Sequence, residues 1–149
     1  METRSNLPAL PLRKKPEKEG EEKKQMPMAL VVDDDHNVLE IMTQMLLREG
    51  FGVYSALDGV EGWDIYIKYK PALVITDIYM PRKNGILLLS QIKSENPEQP
   101  VIFITGYSNY RQMLVSLKVP PDGYIEKPFT RKQLMETIDT VLVDTPKKE

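Results

Sequence analysis

Three aspartates in a row, Asp33, Asp34 and Asp35, close the apolar run LVV. Asp77 ends the run LVIT, Thr105 ends VIFI, and Lys127 follows GYIE. Carboxylates this close repel one another. A hard divalent cation bound through oxygen would neutralise them, and Mg²⁺ takes one or two carboxylates, waters and a phosphate. A carboxylate can also be a nucleophile toward a phosphoryl group. The Thr105 hydroxyl offers a donor, and the Lys127 ammonium can pair with a phosphate oxygen. The set suits phosphoryl transfer onto an aspartate.

Each of these groups follows a short apolar stretch, and helix-period segments lie between the stretches. Strands are predicted at 29–32, 52–56, 72–76, 101–105 and 123–126. Helices are predicted at 36–49, 59–70, 85–96, 109–118 and 130–143, with stops at Gly50, Pro71 and Pro97. In the first helix Val38, Met42, Met45 and Leu46 share a face. In the last, Leu134, Ile138, Val141 and Leu142 face inward. The runs at 30–32, 73–75 and 101–104 are continuously apolar, as in a parallel sheet covered on both faces. Five strands alternating with five helices predict a doubly wound α/β fold with right-handed crossovers. Ligands in such sheets bind beyond the carboxyl ends of the strands, which is where the four groups stand.

Composition narrows the function. With 149 residues, one domain is expected. The formal net charge of −2 gives no support for nucleic acid or anionic membrane as a partner. There is no cysteine, which excludes disulfides, thiolate metal sites and cysteine nucleophiles. No apolar stretch approaches the ~20 residues of a membrane span, and no signal-peptide core stands at the N-terminus. Residues 1–25 are rich in Pro, Lys and Glu and hold 7 basic and 5 acidic side chains, leaving 13 and 17 for the rest. Residues 1–26 therefore read as a flexible tail. Within it, Leu7 to Leu12 has the composition of a polyproline-type ligand. Residues 145–149 read as a short C-terminal tail.

The stretches LVVDDD, DIYMPRKNG, IFITG and GYIEKPF resemble, in order and spacing, the receiver domains of bacterial two-component response regulators. The resemblance covers roughly residues 27–144. It implies a flavodoxin-like sheet in strand order 2-1-3-4-5. It implies that Asp77 accepts a phosphoryl group from a histidine kinase or phosphotransfer protein, with Mg²⁺ as cofactor, in the cytoplasm. Asp33, Asp34 and Asp77 would hold the metal, Asp34 as the likelier direct ligand, with the backbone carbonyl of Tyr79. Thr105 and Lys127 would hold the phosphoryl group, Thr105 and Tyr124 would form the switch, and Pro128 would follow a cis bond. Output would be protein–protein, through the fourth helix, fifth strand and fifth helix. Asp35 is expected to cap the first helix, and His36 to be a surface residue.

Lys83, Asn84, the large Tyr79 and the VPPDG stretch depart from the family's usual pattern. Tyr79 and Tyr107 flank the approach of water to the acceptor and are expected to prolong the phosphorylated state. Two other readings compete. One is a haloacid dehalogenase-like phosphatase using Asp33 and Asp35; it lacks an acidic pair after Lys127. The other is a phosphate-independent binding module, against which the intact set of groups argues. No GxxxxGK[ST] nucleotide loop occurs.

Overall fold

The computed structural model describes residues 26–106 and 110–144. Residues 1–25 of the expected tail at 1–26, the expected tail at 145–149, and Tyr107 lie outside the described residues. In chain order the elements are β1 (Met28–Val32), α1 (His36–Arg48), β2 (Gly52–Ala56), α2 (Gly59–Tyr69) and β3 (Leu73–Asp77). Then come α3 (Gly85–Glu95), β4 (Val101–Thr105), α4 (Tyr110–Leu114), β5 (Gly123–Glu126) and α5 (Arg131–Asp144). The strands form one parallel sheet in the order β2-β1-β3-β4-β5. The expected architecture and strand order are therefore those observed.

Successive side chains of a strand point to opposite faces, so a strand covered on both sides is apolar throughout. Val31, Ile75, Ile102 and Ile104 pack on one face with Met42 and Leu46 of α1 and Leu134 and Ile138 of α5. Leu30, Val32, Val74 and Phe103 pack on the other with Tyr66 of α2 and Leu88 and Ile92 of α3. Each such side chain contributes about 1.5–3 kcal/mol by leaving water. In α1 the buried set is Leu39, Met42 and Leu46, with Val38 and Met45 only partly covered. The stripe is thus rotated slightly from the expected one, toward Leu39.

Local signals set the ends. Asp35, extended at φ −100°, caps α1 by accepting the Asn37 N–H at 2.9 Å, as expected. Gly50 follows α1 at φ 95°, a conformation that costs a glycine little. Asn84 caps α3 through the Leu87 N–H at 3.0 Å. The fourth helix is shorter than the predicted 109–118. After Leu114 the chain tightens, and both the N–H and the hydroxyl of Ser116 donate to the Met113 carbonyl, at 3.1 and 2.7 Å. A serine hydroxyl competing for a helix carbonyl favours this early stop.

At the opposite rim from the acidic groups, the Lys93 ammonium donates to the Gln99 carbonyl at 2.7 Å and to Asp122 Oδ2 at 2.8 Å. The same Asp122 oxygen accepts the Val101 N–H at 2.9 Å. Lys93 therefore joins α3 to the starts of β4 and β5. Lys93→Met is expected to lower stability by about 1–2 kcal/mol, because Asp122 keeps partial access to water. Urea unfolding measures this, and an unchanged midpoint would show that the lysine ties nothing together.

Candidate functional site

β1, β3, β4 and β5 end side by side, and each delivers one group to the rim. Asp33 directly follows β1. Its N–H still pairs with the Ala56 carbonyl at 3.0 Å, so the residue is held in line with the strand and is fully buried. Asp33 Oδ1 accepts the Asp35 N–H at 2.9 Å. Asp33 Oδ2 lies 2.9 Å from Lys127 Nζ as an ion pair, yet it is buried with no partner in hydrogen-bond geometry. It is an acceptor with capacity to spare in a dry place, which is costly unless something else fills it.

Asp77 is the last residue of β3 and is 7% exposed. Its Oδ1 accepts the Ile78 N–H at 2.7 Å, and its Oδ2 accepts from Lys127 Nζ at 3.3 Å. Burial first, then the charge of Asp33, push the Asp77 carboxyl above the ordinary carboxylate range; Lys127 and the Ile78 N–H oppose this without cancelling it. Burial alone would lower the Lys127 ammonium, but Asp33 and Asp77 outweigh burial and hold it above the usual lysine value. The Lys127 N–H donates to the Thr105 carbonyl at 2.7 Å, which carries the pairing of β5 with β4 one step further and fixes where the lysine leaves the sheet. Thr105 ends β4, fully buried, on the strand beside Asp77.

Asp34 is exposed, but an oxygen of its carboxylate joins one from Asp33 and one from Asp77 within a mutual 4.8 Å. Three carboxylates against one ammonium leave about two negative charges, and all the donors are hard oxygens. Such a set fits a divalent cation of the Mg²⁺ type. Asp35 spends its Oδ1 on the α1 cap, which counts against the phosphatase reading with Asp33. His36 is an exposed residue in the first turn of α1. Tyr79 is 41% exposed in the loop after β3, and Tyr124 is 38% exposed on β5. The Lys127–Pro128 bond is cis, as the resemblance implied.

Sequence reasoning missed two parts. The Ile78 N–H has no side-chain signature. Gly85 was read as a helix start, yet its N–H donates to the Ile78 carbonyl at 2.7 Å, and a Cβ there would stand 2.1 Å from the Asp77 carbonyl oxygen. Only glycine lets α3 come this close to Asp77.

The parallel α/β sheet thus gathers three carboxylates and a lysine at one rim. The family described as "Response regulator receiver domain" matches residues 29–139. The chain belongs to that family, the receiver domains of two-component response regulators. It is 32% identical over 120 residues to the response regulator MprA of a Mycobacterium species, which covers 80% of this chain and 52% of the relative. The chain spans about half the length of the curated relatives it matches. Among solved structures, a CheY-like receiver domain protein from Methanospirillum hungatei is 30% identical, with a TM-score of 0.75, covering 81% of this chain and 97% of that one. The response regulator TrrA from Thermotoga maritima, solved in complex with Mg(2+)-BeF, is 32% identical with a TM-score of 0.72, covering 78% and 99%. No helix among the described residues is long and apolar enough to cross a membrane.

Proposed function

We propose that residues 27–144 act as a phosphorylation switch in which Asp77 accepts a phosphoryl group from a phosphohistidine on a kinase or phosphotransfer protein. The observation that carries this is the reach of Lys127 Nζ to both buried carboxylates, 2.9 Å from Asp33 Oδ2 and 3.3 Å from Asp77 Oδ2. Asp33, Asp34 and Asp77, with the Tyr79 carbonyl, would hold Mg²⁺, which when bound neutralises charge on the phosphoryl oxygens. Asp77 Oδ2 attacks phosphorus in line, the P–N bond of the donor breaks, and an aspartyl P–O bond forms. Lys127 then shifts from Asp77 to a phosphoryl oxygen, and the Thr105 hydroxyl donates to another. The domain assists this transfer and turns over no separate substrate.

The movement of Thr105 toward phosphate leaves room that Tyr124 fills, which gives two discrete surfaces on α4, β5 and α5 for a protein target. The test is incubation with acetyl phosphate and Mg²⁺ followed by intact mass. One added phosphoryl group is expected, and none at any Mg²⁺ concentration would overturn the proposal.

Loss of the phosphoryl group needs a water in line with the P–O bond. Tyr79 brings a large ring where no amide or carboxylate can orient that water. Tyr79→Asn is expected to lose phosphate about tenfold faster than wild type. An equal or slower rate would remove shielding by Tyr79 as a cause of a long lifetime.

A further inference from the structure

The loop from β3 to α3, residues 78–84, is tied to the start of α2 at three points. Arg82 Nε and Nη2 each lie 2.8 Å from Asp58 Oδ2. The Gly59 N–H donates to the Lys83 carbonyl at 2.9 Å. The Lys83 ammonium stands 5.6 Å from the centre of the Trp63 ring. A Cβ on Gly59 would meet the Lys83 carbonyl oxygen at 2.2 Å, so the loop rests directly on the helix. Asp58 has two tasks. Its Oδ1 caps α2 by accepting the Glu61 N–H at 2.9 Å, while Oδ2 takes the arginine. The Glu61 N–H and then Arg82 hold its carboxyl below the usual range, burial opposing them.

Arg82 itself sits at φ 67°, where glycine would be relaxed and an L side chain is not. Its backbone conformation therefore gives no reason for an arginine, whereas its guanidinium places two N–H groups on one carboxylate oxygen. The loop it anchors begins at the acceptor. The Ile78 N–H holds Asp77 Oδ1, Tyr79 follows, and the Gly85 N–H closes the loop on the Ile78 carbonyl.

We propose that Arg82, acting through Asp58, is a positioning residue of the phosphoacceptor site: it fixes the 78–84 loop on α2 and so holds the Ile78 N–H and the Tyr79 carbonyl where Asp77 and a cation need them. This rests on the reading of the acidic cluster as a Mg²⁺ and phosphoryl site. Arg82 touches neither group, and its side chain is 59% exposed, so its pair with Asp58 contributes little to stability. Its loss should therefore appear in the site before it appears in the fold.

The experiment follows phosphoryl uptake from acetyl phosphate by intact mass across a Mg²⁺ series, with melting temperatures of the same samples. Arg82→Ala should raise half-saturating Mg²⁺ about tenfold, the scale seen when an outer partner of a metal site is removed. Asp58→Asn keeps a good helix cap and should do the same. The double variant should be no worse than either single one, and Arg82→Lys should recover part of the loss. Melting temperatures should stay close to wild type. Unchanged Mg²⁺ dependence in Arg82→Ala, with a responsive wild type, overturns the clasp. A Mg²⁺ effect that only tracks a fall in melting temperature reduces Arg82 to a structural role and also overturns it. A wild type that takes up no phosphoryl group overturns the underlying reading of the site instead.

Discussion

Asp77→Asn should take up no phosphoryl group, and without metal it should be more stable than wild type. The first effect follows from chemistry, because an amide oxygen keeps the shape of the carboxylate but is no nucleophile toward phosphorus. The second follows from the environment. Asp77 is buried beside Asp33, and its carboxyl is held above the ordinary range. A carboxyl raised in the folded state favours folding fully below its unfolded value, and that contribution is lost as pH rises through the folded value. Above that value metal-free wild type bears repulsion between two buried carboxylates that Lys127 only partly offsets, and asparagine removes it. The gain is expected to be about 1 kcal/mol near pH 7 and to shrink toward pH 4. Melting curves across that range measure it. A variant less stable than wild type at neutral pH would show that Asp77 is well satisfied without a cation. Retained phosphoryl uptake at the wild-type rate would move the acceptor elsewhere.

Lys127→Met should have the larger effect on the fold. Lys127 is the only cation within salt-bridge distance of Asp33 and Asp77 among the described residues. Removing it leaves Asp33 charged in a fully buried position, and breaking a buried pair in this way costs about 2–4 kcal/mol when one partner keeps some exposure. Mg²⁺ should restore part of that loss. Phosphoryl uptake should fall about a hundredfold, as for the loss of one fixed donor to developing charge. The pH dependence has the same sign as that of Asp77 but falls in the alkaline range. A lysine raised in the folded state stabilises fully below its unfolded value, and this is lost as pH rises through the folded value. Wild type should therefore lose stability above about pH 10.4 through this group, and the variant should lack that limb. Urea unfolding at neutral and alkaline pH is the measurement, and an equal alkaline decline in both proteins would count against the pairing.

Much of this arrangement was legible before any coordinates. The runs at 30–32, 73–75 and 101–104 are apolar at every position because both faces of those strands are covered, and that pattern has few other readings. Asp77, Thr105 and Lys127 were visible because each sits at a strand's end, where the topology gathers side chains. The clasp was not legible. Asp58 and Arg82 are 24 residues apart, and each looks like an ordinary surface charge. The same holds for Lys93, whose stretch KSENPEQ gives no sign that the chain folds back over its ammonium. Leu39 was missed because a stripe at 38, 42, 45 and 46 satisfies a helical period as well as 39, 42 and 46 does. The direction of a stripe depends on what it meets, not on its spacing.

β5 is four residues long and stands at the margin of the sheet, paired on one side only. A short margin strand is among the cheapest parts of a sheet to open locally. Here that opening would also take away the ammonium that balances Asp33 and Asp77, because Lys127 follows the strand immediately. Breathing of the C-terminal part and the charge state of the acidic rim are therefore one equilibrium seen from two ends. Whatever neutralises the rim from outside makes the departure of β5 less costly for the carboxylates. Amide exchange at Tyr124–Glu126 should then respond to millimolar Mg²⁺ although none of those residues belongs to the acidic cluster. The filling of the pocket would then set how often the last strand lets go.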